Sequence, residues 1–524
     1  MKKALSLLLS VILVFSLALP AFAAENDENP TVYVIGAHKN DLYNAEGEQI
    51  FPIEADVGNI IKEALLPCLE KLAVGMLTDD FSDYAEEFNS SMAPIYEDLI
   101  LDKNGNVSNG SYTRFYSSTE NVQGKTSGYD VWDARFWYDW RESPIKTAKE
   151  LKIHIDNVLD ATGKSKVQLI GRCYGANVIA AYLELYTDHA KQHVSDVSYY
   201  SSSVLGIDFM SALFSGEIVL DDKAITNFVN YYMENRELIE NTETAELVSA
   251  TVELLRMIKL LGLTGDALVE FVELFKADLL PLLLRNSYGG WLSYWSMVTP
   301  ERYEQARDFV FNSEELKKEY AEFIEKADEF HYTVQLNATE TMLELKNAGI
   351  NFYIFAKYNY PEIPLYEGAT AQGDADTTVL RQSFGGTASE YDTVLSQEYL
   401  DGVSQENLKY ISPDKKIDAS TGLFPETTWY IKNLHHDYFG PLHSMSIEIM
   451  RYDLDGDCEK YPRFLTHTGN GEELENVLFP TEGTDEDYAK PADNALISLF
   501  RFLTAFFNFI RGLITGEVVL NLGK

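Results

Sequence analysis

Apolar residues recur along this chain with two alternating periods. The runs 31–35, 136–140 and 166–171 are short and rich in β-branched, aromatic and aliphatic side chains, which predicts strands. Between them, apolar positions fall three and four residues apart, which predicts helices. In residues 56–72 such a face is drawn by Val57, Ile60, Ile61, Ala64, Leu65 and Leu69. A second face is drawn by Ile145, Ala148, Leu151, Ile155 and Val158, with Ser143 as N-cap, Pro144 at the first helical position and Gly163 as the stop. The run 166–171 then leads straight into a helical segment over 176–186. Strands alternating with covering helices make a parallel sheet, so the expected fold class is α/β.

From 208 to 347 the period is helical throughout, with consecutive helices expected at 244–263 and 266–285, and the strand pattern returns at 350–358 and 427–434. A helical cap is therefore expected to interrupt a sheet that continues beyond it. The expected organisation is a signal peptide over 1–24, a first part of the core over 25–207, the cap over 208–347, a second part of the core over 348–492 and an apolar amphipathic helix over 493–524. In that last helix Leu496, Leu499, Phe502, Phe506 and Phe509 belong to a wide apolar arc, and Arg501 and Arg511 lie in the narrow polar stripe. Two internal arginines argue against a bilayer-spanning segment. Docking on the protein's own body and contact with a membrane interface are the two readings of such a helix.

The N-terminus carries Lys2 and Lys3, an apolar run over 4–19 and Ala21-Phe22-Ala23, the pattern of a cleaved export signal, so a secreted or extracytoplasmic location is expected. With 46% apolar and 13% aromatic residues the chain can bury a large core, which excludes overall disorder. Against 82 acidic residues stand 42 basic ones, a net charge of −40. Nucleic acid is excluded as a partner on this ground, because phosphate binding needs clustered Lys and Arg. The three cysteines, Cys68, Cys173 and Cys458, cannot all pair with one another, so at least one thiol is left over. Oligomeric state is not legible.

Gly171-Arg172-Cys173-Tyr174-Gly175 sits between a predicted strand and a predicted helix. Glycines on both sides of a central residue permit the sharp strand-to-helix turn that lifts a nucleophile above a sheet. The thiolate is the reactive form of cysteine, and a helix N-terminus beside an imidazole is where proteins generate it. Together with Tyr138-Asp139-Trp140-Arg141 ahead of the nucleophile strand, this motif resembles the α/β-hydrolase superfamily, and within it the lecithin:cholesterol acyltransferase-like lipases and acyltransferases. The resemblance runs over about 31–438, with the cap unmatched. Those families mostly carry Ser where this chain has Cys173; dienelactone hydrolases and polyhydroxyalkanoate synthases are similar to it in using Cys.

The resemblance implies a triad in the order nucleophile, acid, His. Residues 376–383 resemble the Asp-Gly-x-Val-Pro segment that carries the acid, which assigns Asp376, with Asp374 as the alternative acid. Trp429 to His436 resembles a Trp-x-Ile-Lys-Asn-x-x-His pattern, which assigns His436 as base and leaves His435 a packing or supporting role. Oxyanion donors are implied at the backbone amides of Tyr174 and of Ala37, the latter in the Gly36-Ala37-His38 turn. No His or Cys cluster has zinc spacing, Asp453 to Asp457 lacks the terminal Glu of a calcium loop, and no cofactor motif is present, so no metal and no cofactor is expected. The aromatic stretch over 286–295 would either line a mouth or pack between cap helices. The expected function is cleavage or transfer of an acyl group from an ester, lipid-like in character, through Cys173, His436 and Asp376. The alternative is a non-catalytic envelope or surface-binding protein on a hydrolase scaffold.

Overall fold

The computed structural model of the chain describes residues 28–52, 82–115, 124–126, 132–219, 275–468 and 474–477, with isolated positions between 71 and 78 and between 224 and 273. The expected signal peptide, the helix over 56–72 except Lys71, the whole 244–263 segment and the C-terminal helix lie outside the described residues. Among the described residues nine strands form one sheet: β1 (Thr31–Val34), β2 (Gly124–Thr126), β3 (Trp132–Phe136), β4 (Val167–Arg172), β5 (Val194–Tyr200), β6 (Asn351–Tyr358), β7 (Thr428–Lys432), β8 (Phe464–His467) and β9 (Leu474–Asn476). Their order across the sheet is β9-β8-β7-β6-β5-β4-β1-β3-β2. All pairings are parallel except those of the two edge strands, β2 with β3 and β8 with β9. This is the mostly parallel, helix-covered α/β sheet that the strand and helix periods predict.

Strands covered on both faces lose the alternation of a half-solvated sheet, and every residue of β4 is buried. On one face lie α1 (Pro144–Thr162) and α2 (Tyr174–Leu185). The α1 boundaries follow from chemistry visible in sequence: the Ser143 side chain accepts a bond from the Ile145 amide, and Gly163 closes the helix at φ 67 in the left-handed region. In α2 every residue from Tyr174 to Leu183 is buried, because the helix is sandwiched between the sheet and the helices that follow β5. The opposite face is covered by α4 (Gly440–Tyr452), which lays Leu442, Met445 and Ile449 against Ile170, Phe355 and Trp429.

Between β5 and β6 the described residues form helices and turns and contribute no strand to the sheet; the last of these helices is α3 (Ala338–Asn347). Two five- and six-residue π-helical turns, Phe275–Leu279 and Phe330–Gln335, interrupt them. One expected strand is displaced. The run 136–140 is not a strand; β3 ends at Phe136, where the predicted element was to begin. Residues 138–141 turn instead, because the Asp139 carboxylate accepts from the Arg141 amide at 3.0 Å and pairs with the Arg141 guanidinium at 2.7 Å. Among the described residues no helix is long and apolar enough to cross a membrane.

Candidate active site

The chain runs from β1 outward to β3 and then returns to the other side of β1 as β4, so strand order reverses there and the segments leaving β1 and β4 stand side by side at the carboxyl ends of the strands. Cys173 is the single residue between β4 and α2. Its backbone is held at φ 48 and ψ −121, a region that residues with side chains occupy only under constraint. Close packing supplies the constraint. A Cβ added to Gly175 would stand 2.3 Å from the Val34 oxygen, and one on Gly171 would stand 2.8 Å from Ile179 Cδ1, so helix and strand approach more closely than any larger residue permits. The Cys173 amide donates to the Tyr200 carbonyl at 3.0 Å and its own carbonyl accepts from the Ala176 amide at 2.9 Å, while the residue keeps part of its surface exposed.

The loop after β1 lies against this turn: a Cβ on Gly36 would be 3.7 Å from Cys173 Cβ. Tyr138-Asp139-Trp140-Arg141 fastens that loop. The Tyr138 hydroxyl donates to the Ile35 carbonyl, Trp140 Nε1 donates to the Asn40 carbonyl at 3.0 Å, and the Asn40 side chain donates back to the Tyr138 carbonyl at 3.0 Å. Ala37 and Tyr174, the two expected oxyanion donors, thus belong to adjacent segments whose backbones are tied down. His38, next to Ala37, is ringed by Phe51, Trp140, Trp291 and Tyr294, and burial pushes its imidazole down to about 3. Trp291 and Tyr294 of the 286–295 stretch are themselves buried, so these aromatics pack around the loop.

Beyond β7 the chain turns at His435 and His436, and the segment following β6 carries Asp374 and Asp376 to the same place. The His436 amide donates to the Asp374 carbonyl at 2.8 Å, and His436 Nδ1 lies 3.0 Å from Asp374 Oδ2. Asp376 faces the other ring nitrogen, with Oδ2 3.8 Å from Nε2. The two carboxylates therefore flank one imidazole from opposite sides, and it is Asp374, not Asp376, that makes the short bond to Nδ1. The Asp374 carboxylate is itself held by the Thr377 amide at 2.8 Å.

These contacts set the charges. Burial disfavours a protonated His436, yet Asp374 and Asp376, with Cys173 and the Asp374 hydrogen bond adding to them, outweigh it and hold the imidazole well above its usual range. Burial likewise disfavours ionised Asp374, but His436 and then Lys357 pull its carboxyl well below the usual range. Asp376 goes the other way: burial raises it to about 7 against the pull of His436, with Asp437 and Asp374 adding to the rise. His435 is lowered to about 4, chiefly by burial, and its Nδ1 accepts from the Asp437 amide at 3.3 Å. Asp437 in turn receives Arg172, the residue before the nucleophile position, at 3.4 Å.

Sequence reasoning missed the polar frame around these residues: Arg172 stacked 3.6 Å over Phe439, and the buried Lys357 and Gln382 behind the two loops. The signal was present at Lys357, a charged residue inside the otherwise apolar run of β6. Elsewhere, the carboxylates of 453–457 are engaged by protein groups: Asp457 by Lys409 at 2.7 Å and Arg463 at 3.1 Å, and Asp453 by the Tyr353 hydroxyl at 2.8 Å. Cys458 is a free thiol like Cys173, and Cys68 lies outside the described residues.

A parallel α/β sheet thus carries a strained cysteine at a strand-to-helix elbow and a His–Asp pair on the loops that follow later strands. The sequence model of the lecithin:cholesterol acyltransferase family matches residues 100–350, so the chain resembles that family of α/β-hydrolase-like acyltransferases over a range that contains the elbow and runs through the cap. The match starts later than the 31–438 resemblance and ends before Asp374 and His436, whose pairing is read from geometry alone. Among solved structures, a chain of the Tle4–Tli4 complex is similar at 13% identity and a TM-score of 0.18, over 36% of this chain and 48% of that chain. The chain thus spans about half the length of that neighbour. No curated protein matches it.

Proposed function

We propose that this protein is an exported enzyme that cleaves or transfers the acyl group of a lipid-like ester through a Cys173–His436–Asp374 triad. The observation that carries the reading is the coincidence of a strained Cys173 elbow with a buried His436 whose Nδ1 is bonded to Asp374. In this reading the thiolate of Cys173 attacks the ester carbonyl. The amides of Tyr174 and Ala37 receive the developing oxyanion, each donor being worth about 3–4 kcal/mol in such sites. His436 gives its proton to the leaving alcohol, leaving a thioester on Cys173. Water or a second alcohol then attacks the thioester while His436 takes the proton, and the thiolate is released. Asp374 orients the imidazole and offsets its charge, a role the short bond supports better for it than for Asp376.

The family resemblance favours an acyl ester with lipid character. The dilysine start, the apolar run and Ala-Phe-Ala within residues 1–24 favour export. The wide apolar arc over 494–516 favours contact with a lipid interface. A panel of p-nitrophenyl esters of increasing chain length, assayed with and without a thiol reductant, tests the reading. Turnover that rises with chain length, is blocked by iodoacetamide at Cys173 and is absent in Cys173→Ala is the expected result. No turnover of any ester, with Cys458 or Cys68 labelled ahead of Cys173, would overturn it in favour of a binding scaffold.

A further inference from the structure

Lys357 is a charged residue in the interior of the sheet. It sits in β6, its side chain is fully buried, and both neighbouring positions, Ala356 and Tyr358, are buried too. Isolated buried ammonium groups are costly, so one that persists is paired or hydrogen-bonded. Here the partners are main-chain oxygens. Lys357 Nζ donates to the carbonyls of His435 at 3.0 Å, His436 at 2.8 Å and Tyr438 at 3.0 Å, which uses all three of its hydrogens. The same nitrogen stands 3.6 Å from the centre of the Phe439 ring, the ring that Arg172 covers from its own side at 3.6 Å. The whole 435–439 turn is thus gathered on one side chain.

The backbone of Lys357 is tied to the acid loop by a second side chain. Gln382 accepts from the Lys357 amide at 2.7 Å through Oε1, and its Nε2 donates to the Lys357 carbonyl at 3.1 Å and to the Thr377 carbonyl at 2.6 Å. Thr377 is the residue whose amide holds the Asp374 carboxylate. One strand residue therefore fixes both halves of the His–Asp pair: its ammonium holds the turn that carries His436, and its peptide group, through Gln382, holds the turn that carries Asp374.

We infer that Lys357 is a positioning residue, which keeps the His436 ring in register with Asp374 on one side and Cys173 on the other by clamping the three carbonyls of the 435–438 turn. The inference rests on the triad reading above. It explains why a lysine occupies a place where the period of the strand calls for an apolar residue. An aliphatic side chain there would leave three carbonyls to find other donors, and the turn would be free to rotate His436 off Nδ1···Asp374 geometry. Burial pushes the Lys357 ammonium down to about 7, with Asp374 opposing that shift.

The test uses the full chain and three variants, Lys357→Met, Lys357→Gln and Cys173→Ala, assayed on one short-chain and one long-chain p-nitrophenyl ester. Met matches the length and removes every donor; Gln keeps two donors without the charge. The expected result is a kcat at least tenfold lower for Lys357→Met with KM within twofold, partial recovery of kcat in Lys357→Gln, and melting temperatures of both close to wild type. An unchanged kcat in Lys357→Met overturns the inference, as does a loss carried wholly by KM, and so does unfolding of both Lys357 variants, which would assign the residue to stability alone. Cys173→Ala separates this from the reading beneath it. Retained turnover in that variant sinks the triad, whereas its loss together with an unaffected Lys357→Met sinks only the clamp.

Discussion

Asp374 and Asp376 differ by two positions in sequence and by the ring nitrogen they face, and that difference assigns them opposite consequences. Asp374 is fully buried, bonded to Nδ1 and held by the Thr377 amide. Asp374→Asn is expected to lower kcat by about 10⁴-fold, the scale seen when a triad acid loses its charge, while Asp376→Asn stays within about tenfold of wild type. Equal losses in the two variants, read from kcat on one ester, would show that both carboxylates serve the imidazole. Asp376 also has a pH signature. Its carboxyl is raised to about 7 by burial, so it favours the folded state below the carboxylate's ordinary value of 3.8 and that contribution is lost as pH rises through 7. Asp376→Asn removes this dependence. Denaturant titrations at pH 5 and pH 8 are expected to show the variant gaining on wild type by about 1–2 kcal/mol at the higher pH, below the ceiling of about 2.7 kcal/mol that ~1.4 kcal/mol per unit sets between pH 5 and 7, because His436 and Asp437 share the charge. A gain that shrinks with pH would reverse the sign assigned to Asp376.

At the level of elements, the strand–Cys–helix unit and the helix before it use glycine for two different reasons. Gly175 is required by proximity, a Cβ there meeting the Val34 and Ile35 carbonyls at 2.3 and 2.7 Å. Gly163 is required by conformation, at φ 67 with nothing within 4 Å of an added Cβ. Gly163→Ala therefore costs the left-handed penalty of about 1–2 kcal/mol. Gly175→Ala forces backbone apart beneath the nucleophile and costs about 3 kcal/mol or more. Urea denaturation of the two variants checks the ordering, and equal costs would mean that β1 and α2 have room to separate. The Tyr138-Asp139-Trp140-Arg141 segment is instructive in the same way. Its aromatics read as a strand from their period, but their polar atoms are spent on the loop after β1 and on the Asp139–Arg141 pair.

For the whole molecule the dominant quantity is charge. A chain with 82 acidic and 42 basic residues repels itself when compact, and this repulsion is screened by salt. Raising NaCl from 10 mM to 300 mM is expected to lift the melting temperature by about 1–3 °C, the shift that ~1 kcal/mol of relieved repulsion gives a chain of this size. A melting temperature that falls with salt would mean that the surface ion pairs outweigh the net charge. The positive groups gathered about the elbow, Arg172 and Lys357, stand out against that acidic background, and both are engaged by the turn that carries His436.

Local chemistry was legible in the sequence wherever a residue's role depends on its immediate neighbours. The Ser143 and Gly163 caps, the apolar face of α1, the buried run of β4 and the small residues around Cys173 are all of this kind, because propensity, periodicity and close packing act within a few positions. The α/β class follows from the same signals read in order. What the tertiary structure decided depends on contacts between distant segments. The choice between two carboxylates two residues apart turns on which one meets Nδ1 of a ring 62 positions away. The strand expected over 136–140 gave way to a brace because its hydrogen bonds reach back to residues 35–40. Lys357 reads as a misfit in an apolar strand until the carbonyls of a turn nearly eighty residues later close around it, since the worth of a buried charge is set by its partners in space, and no local pattern encodes them.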